Sequence, residues 1–79
     1  MRDALFHIRP DSPLSIQAQI RELIVDAVLS GQLPPGDPLP SCRAMAKRLR
    51  VSRNTVVYAY QRLVDDGFLT ARERSGFYV

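Results

Sequence analysis

Between positions 14 and 29 the apolar residues Ile16, Ile20, Leu23, Ile24, Ala27 and Val28 recur at steps of three and four, the spacing that gathers side chains on one face of an α-helix. A first helix is therefore predicted over residues 14–29. Ser12 or Ser15 is placed to cap its start, Pro13 suits a first-turn position, and Gly31 supplies a left-handed stop. The segment 33–40 then holds Pro34, Pro35, Pro38 and Pro40 together with Gly36, too many fixed backbones and missing donors for a helix to continue. It is expected to cross the domain in an extended form.

Ser41 opens a short second helix with Ala44, Met45, Ala46 and Leu49 as its apolar set and Arg43, Lys47 and Arg48 at exposed positions. After Arg50 and Val51, Ser52 caps a third helix, predicted over 52–66. It turns Val56, Ala59, Tyr60 and Leu63 to one side and Asn54, Tyr58 and Gln61 to the other, and stops at Gly67. The period then changes. Residues 68–72 and 77–79 read as two short strands around Glu73-Arg74-Ser75-Gly76. Residues 1–12, where Phe6 and Ile8 alternate with His7 and Arg9, read as an arm ahead of a single domain over 13–79. Three helices and a hairpin in that order make a mainly α fold with a small β-hairpin, a winged helix-turn-helix. The short linker Arg50-Val51-Ser52 suits the steep crossing of the helix pair, although a turn this short does not by itself exclude an antiparallel pair.

Composition adds limits to this picture. Seventy-nine residues, 46% of them hydrophobic and 24% charged, suit one ordinary globular domain with no second core. The longest uncharged stretch, residues 27–36, holds two prolines and is far short of a membrane span, and the N-terminus lacks the apolar run of a secretory signal. Cys42 is the only cysteine, which excludes an intrachain disulfide and fits a reducing cytoplasm.

Charge changes the picture most. The net charge of +3 divides unevenly, with five acids against three bases over residues 1–39 and eight bases against three acids over residues 40–79. Arg43, Lys47, Arg48, Arg50 and Arg53 follow one another with no acid between them, a local field that attracts a polyanion. Ten of the eleven bases are arginine, whose planar fork grips phosphate or guanine with paired hydrogen bonds. Ser52, Arg53, Asn54 and Thr55 stand at the end of the third helix that a groove-reading helix points toward base edges. The helix starts at Ser41 and Ser52 bring unpaired amides suited to phosphates. Tyr58 is placed to stack on a sugar or base, and Arg72 and Arg74 are the cations of the wing. Each residue alone is as well explained by solvation as by function; their combination points to nucleic acid.

These residues also carry a resemblance. Pro35-Gly36, Leu39-Pro40-Ser41, Arg43, Val51-Ser52-Arg53-Asn54-Thr55-Val56, Leu63, Gly67 and Leu69 together strongly resemble the DNA-binding domain of the GntR family of bacterial transcription regulators, over residues 13–79. Asn54-Thr55-Val56 followed by Ala59-Tyr60 looks most like the MocR branch, with a YtrA-like branch as the alternative. The resemblance implies a double-stranded DNA operator as partner, contacted by Arg43, Arg53, Asn54 and Thr55. Ser75, Gly76 and the other wing-tip residues would add backbone and minor-groove contacts. It also implies a homodimer in the full-length regulator and, for MocR, pyridoxal phosphate in an aminotransferase-like domain outside this segment. Two departures stand out. The family's wing usually reads arginine, proline, glycine, serine, glycine, where this chain has Arg72-Glu73-Arg74-Ser75-Gly76; and Val57 stands where the fatty-acid-responsive branch often has a DNA-contacting arginine.

Other chemistry is weaker. Cys42, beside a helix start and Arg43, invites a redox-sensing reading through a favoured thiolate, against the simpler one of a small residue beside a cap. His7 has no companion for a metal. Asp65 and Asp66 point about 100° apart on a helix and do not share a site. With no nucleophile and base in evidence, an enzyme is not expected. The competing class is a winged helix that binds an acidic protein partner.

Overall fold

The computed structural model describes residues 8–9, 11–72 and 76–79. It contains three helices, α1 (Ile16–Leu29), α2 (Cys42–Leu49) and α3 (Arg53–Asp65), followed by the antiparallel strands β1 (Thr70–Arg72) and β2 (Gly76–Tyr78). Each helix opens on a serine whose Oγ accepts a backbone amide three residues on: Ser15 from Ala18, Ser41 from Ala44 and Ser52 from Thr55. Of the two serines that suited the start of α1, Ser15 is the cap. The stops at Gly31 and Gly67 fall where the sequence places them, with φ of 82° and 86°, a region that costs other residues a Cβ clash.

Helix α3 is the central element, packed against both α1 and α2. Its inner residues Val56, Ala59, Tyr60 and Leu63 meet Ile20, Ile24 and Ala27 of α1, Met45 and Ala46 of α2, and Leu33, Leu39 and Leu69 from the connections in one buried cluster. Leu23, Val28 and Leu49 pack half-buried against it, and two other residues assigned to apolar faces do not join it. Ile16 and Ala44, each in the first turn of its helix, are exposed. Gln19, a polar residue absent from the predicted face, is buried instead. Its Oε1 accepts the Arg9 amide at 2.7 Å and its Nε2 donates to the carbonyls of Arg9 and Leu14 at 3.0 and 3.1 Å. The amide thus satisfies backbone groups of Arg9 and Leu14 and ties residue 9 of the arm to α1, while Ile8 packs on the core.

The hairpin pairs Thr70 with Tyr78, Ala71 with Phe77 and Arg72 with Gly76. Its first strand is shorter than the sequence suggests, since Phe68 and Leu69 turn inward to close α3 through bonds to the Leu63 carbonyl, and its second lies one residue earlier. The extended crossing does more than connect. The Leu39 amide donates to the Phe77 carbonyl, and the Val79 amide to the Asp37 carbonyl, both at 2.9 Å, around a bridge between Pro38 and Tyr78. Prolines are tolerated there because the segment lies at a sheet edge and uses the groups between them. Tyr60 locks the parts together. Its hydroxyl donates to the Pro40 carbonyl at 2.9 Å and its ring meets Phe77 edge-on, with centroids 4.9 Å apart.

Candidate nucleic-acid interface

The start of α3 lies between the starts of the other two helices. On one side Arg53 shares a groove with Ser41, Cys42 and Arg43 from the start of α2 and with Gly76 and Phe77 from the wing. On the other side Asn54, Thr55 and Tyr58 share a groove with Ser15, Ile16 and Gln17 from the start of α1. Three helix N-termini therefore gather on one face, and none of the three has an acidic residue in its first turn. Their unpaired amides and positive dipole ends are left for an external anion. The acids of α3 stand at the opposite end, where Asp66 pairs with Arg21 at 2.6 Å. Helix α3 thus carries the cation Arg53 and no acid at its start, and its acids only at its close.

The structure brings Ser41, Arg43, Arg53 and Gly76 of the sequence-derived set into the first groove and Asn54, Thr55 and Tyr58 into the second. Arg43, Lys47, Arg53, Asn54 and Tyr58 are exposed. The hydroxyls of Ser52 and Thr55 lie 2.7 Å apart while Ser52 Oγ also accepts the Thr55 amide, so this pair shapes the helix start as well as lining it. Arg72 is exposed and its guanidinium sits over the Tyr78 ring, 4.3 Å from the centroid, a cation–π contact that holds the charge along the strand. Arg74 and Ser75, the remaining wing residues of the set, lie outside the described residues.

Sequence reasoning missed the start of α1 as a wall of the site. The signal was present in Ser15, a cap with no acid behind it, but only the fold brings it beside Asn54. Of the two readings of Cys42, the structure favours the simpler one. Burial pushes that thiol up from its ordinary value, and outweighs the opposing pull of Arg53 and of its own backbone amide. Geometry supplies Arg53, not the adjacent Arg43, as the cation that acts on it. This direction runs against a favoured thiolate and leaves the reading of a small side chain beside a cap. Among the described residues no group of three or more acidic, histidine or cysteine side chains could hold a metal. No helix of the described residues is long and apolar enough to cross a membrane.

The model of the bacterial regulatory proteins, gntR family, matches residues 16–79. The chain belongs to the GntR family. It is similar to the transcriptional regulator TauR of Rhodobacter capsulatus, 43% identical over 74 residues that make up 94% of this chain and 15% of TauR. It is also similar to the probable rhizopine catabolism regulatory protein MocR of Rhizobium meliloti, 38% identical over 69 residues, 87% of this chain and 14% of that protein. The chain thus spans less than a sixth of the length of either relative. Among solved structures, YtrA from Sulfolobus acidocaldarius, a GntR-family transcription factor, superposes with a TM-score of 0.85 at 39% identity, covering 91% of this chain and 76% of that one. AraR(DBD) in complex with operator ORX1 superposes with a TM-score of 0.80 at 26% identity, covering 94% of each chain. The winged-helix architecture and the membership of a regulator family, not an enzyme family, follow from these matches.

Proposed function

We infer that this chain is the sequence-specific double-stranded DNA-binding domain of a transcription regulator, with α3 in the major groove and the wing along the backbone or in the minor groove. The observation that carries the reading is the meeting of three acid-free helix starts around Arg43 and Arg53. Backbone amides and dipole ends hold phosphates at fixed places, arginine forks add affinity, and Arg53 and Asn54 at the start of α3 are left to read base edges. Arg43, Lys47 and Arg48 serve mainly the phosphates. AraR(DBD), which shares this fold, is in complex with an operator, and this supports DNA as the partner.

Within the family we assign the chain to the MocR branch, on Asn54-Thr55-Val56 with Ala59-Tyr60 and on the similarity to MocR itself. The full-length regulator would then act in the cytoplasm as a homodimer, and its pyridoxal phosphate would belong to an aminotransferase-like domain outside these residues. The test of the main reading is fluorescence anisotropy of labelled duplexes recovered by this chain from a random library, titrated over a range of salt. Binding that weakens steeply with salt is expected, and Lys47→Ala should lower the slope of log affinity against log salt by about one unit on every sequence. No binding at low salt would overturn the DNA reading in favour of an acidic protein partner.

A further inference from the structure

We propose that Val57 is a specificity-determining residue, whose methyl groups pack against the 5-methyl group of a thymine in the bound operator; the inference rests on the DNA-reading function above. Val57 is 41% exposed and belongs neither to the buried core nor to the half-buried layer packed on it. Folding therefore does not account for an apolar side chain here. Helix formation does not either, because a β-branched residue is a poorer helix former than the alanine, arginine or glutamine that an exposed position accepts.

Its place on the helix is informative. Val57 lies four residues after Arg53 and three after Asn54, on the same outward strip. The rise from Asn54 to Val57 is about 4.5 Å along the helix, less than one turn, so the two side chains are neighbours on the face that would meet the groove. The other exposed apolar residue of α3, Tyr58, lines the groove shared with the start of α1. Val57 is thus the aliphatic element of a strip whose other members donate hydrogen bonds. In the major groove the feature that an aliphatic group recognises is the thymine methyl, whereas a cytosine amine placed there would lose water and gain no partner.

The experiment uses this chain and the duplex it selects from a random library, with each thymine replaced in turn by uracil, which lacks the methyl and keeps the pairing. Wild type is expected to lose about fourfold in affinity at one thymine per site, the effect of one methyl leaving an apolar contact. Val57→Ala should show no penalty at that thymine, and Val57→Ile should restore it. Because the side chain is outside the core, all three proteins should unfold at closely similar temperatures by circular dichroism, which separates lost reading from lost folding. A penalty that persists unchanged in Val57→Ala, or selective binding with no penalty at any thymine, overturns the assignment while leaving the DNA-binding function intact. Failure to select any duplex overturns that function, and this inference with it.

Discussion

Along α3 the side turned toward α1 and α2 and the side turned away differ in every respect that a helix allows. Val56, Tyr60 and Leu63 have no exposed surface, and the one polar group among them, the Tyr60 hydroxyl, is spent on the Pro40 carbonyl. Arg53, Asn54, Val57, Tyr58 and Gln61 are exposed. Inner residues decide whether the helix is presented at all, and outer residues decide what it is presented to. The two sets should separate cleanly in experiments. The largest effect belongs to the inner face. Leu63→Ala leaves a cavity in the buried cluster and should cost about 2 to 5 kcal/mol of stability, read from urea unfolding. Its loss of DNA affinity should then fall equally on every sequence, by depletion of the folded form.

Arg53→Ala is the opposite case. Stability should stay within about 0.5 kcal/mol of wild type because the side chain is exposed, while affinity for the selected duplex falls by about 1 to 3 kcal/mol and affinity for random duplex changes far less. A comparable loss on both duplexes, measured by anisotropy at one salt concentration, would reduce Arg53 to a phosphate contact and blur the division between the faces.

That division was legible in the sequence because the helical period by itself sorts residues into an inner and an outer face. The serine caps and the glycine stops were legible for the same local reason: each acts within four residues of itself. What stayed hidden depends on distant chain. The prolines of 34–40 masked an edge segment, since Asp37 and Leu39 offer one acceptor and one donor only to a strand forty residues away. Gln19 gave no sign that it would be buried, because its partners are the backbone groups of Arg9 and Leu14. The wall that Ser15 and Gln17 add to the site appears only when α1 packs against α3. At Cys42 the sequence showed the neighbouring charges but not the burial that overrides them.

Tyr60 sharpens the inner face. Tyr60→Phe keeps the ring against Phe77 but leaves the Pro40 carbonyl without its donor, and should cost about 1 kcal/mol at neutral pH. Burial, reinforced by the nearby Cys42, pushes the phenol up from its usual range against a weaker pull from Arg48. With the folded value above the unfolded one, this contribution is fully present below about pH 10 and is lost as pH rises past it. Wild type should therefore lose stability in strong alkali, and Tyr60→Phe should lose less over the same interval. Cys42, also pushed upward by burial, has the same sign and leaves a smaller residual decline. Parallel alkaline profiles for the two proteins would show that the hydroxyl is not the group responsible.

The smallest expected effect lies at the residue that belongs to neither face. Arg50 joins α2 to α3 and holds a left-handed backbone, φ 56° and ψ 46°, with the Val51 amide closing onto the Ala46 carbonyl at 3.1 Å. A side chain in that region costs roughly 1 to 2 kcal/mol through its Cβ. Glycine relieves the clash but gives the unfolded chain about 0.4 to 1 kcal/mol more entropy. The relief is the larger of the two, so Arg50→Gly should stabilise the domain by about 0.5 kcal/mol, seen as a higher urea midpoint at an unchanged slope. Discrimination between selected and random duplex should not change, because the residue precedes the reading helix. A lower midpoint would mean that the Arg50 side chain holds the turn by contacts worth more than the strain. A change in discrimination would mean that the turn sets the angle of α3 in the groove, and that the two faces are not independent.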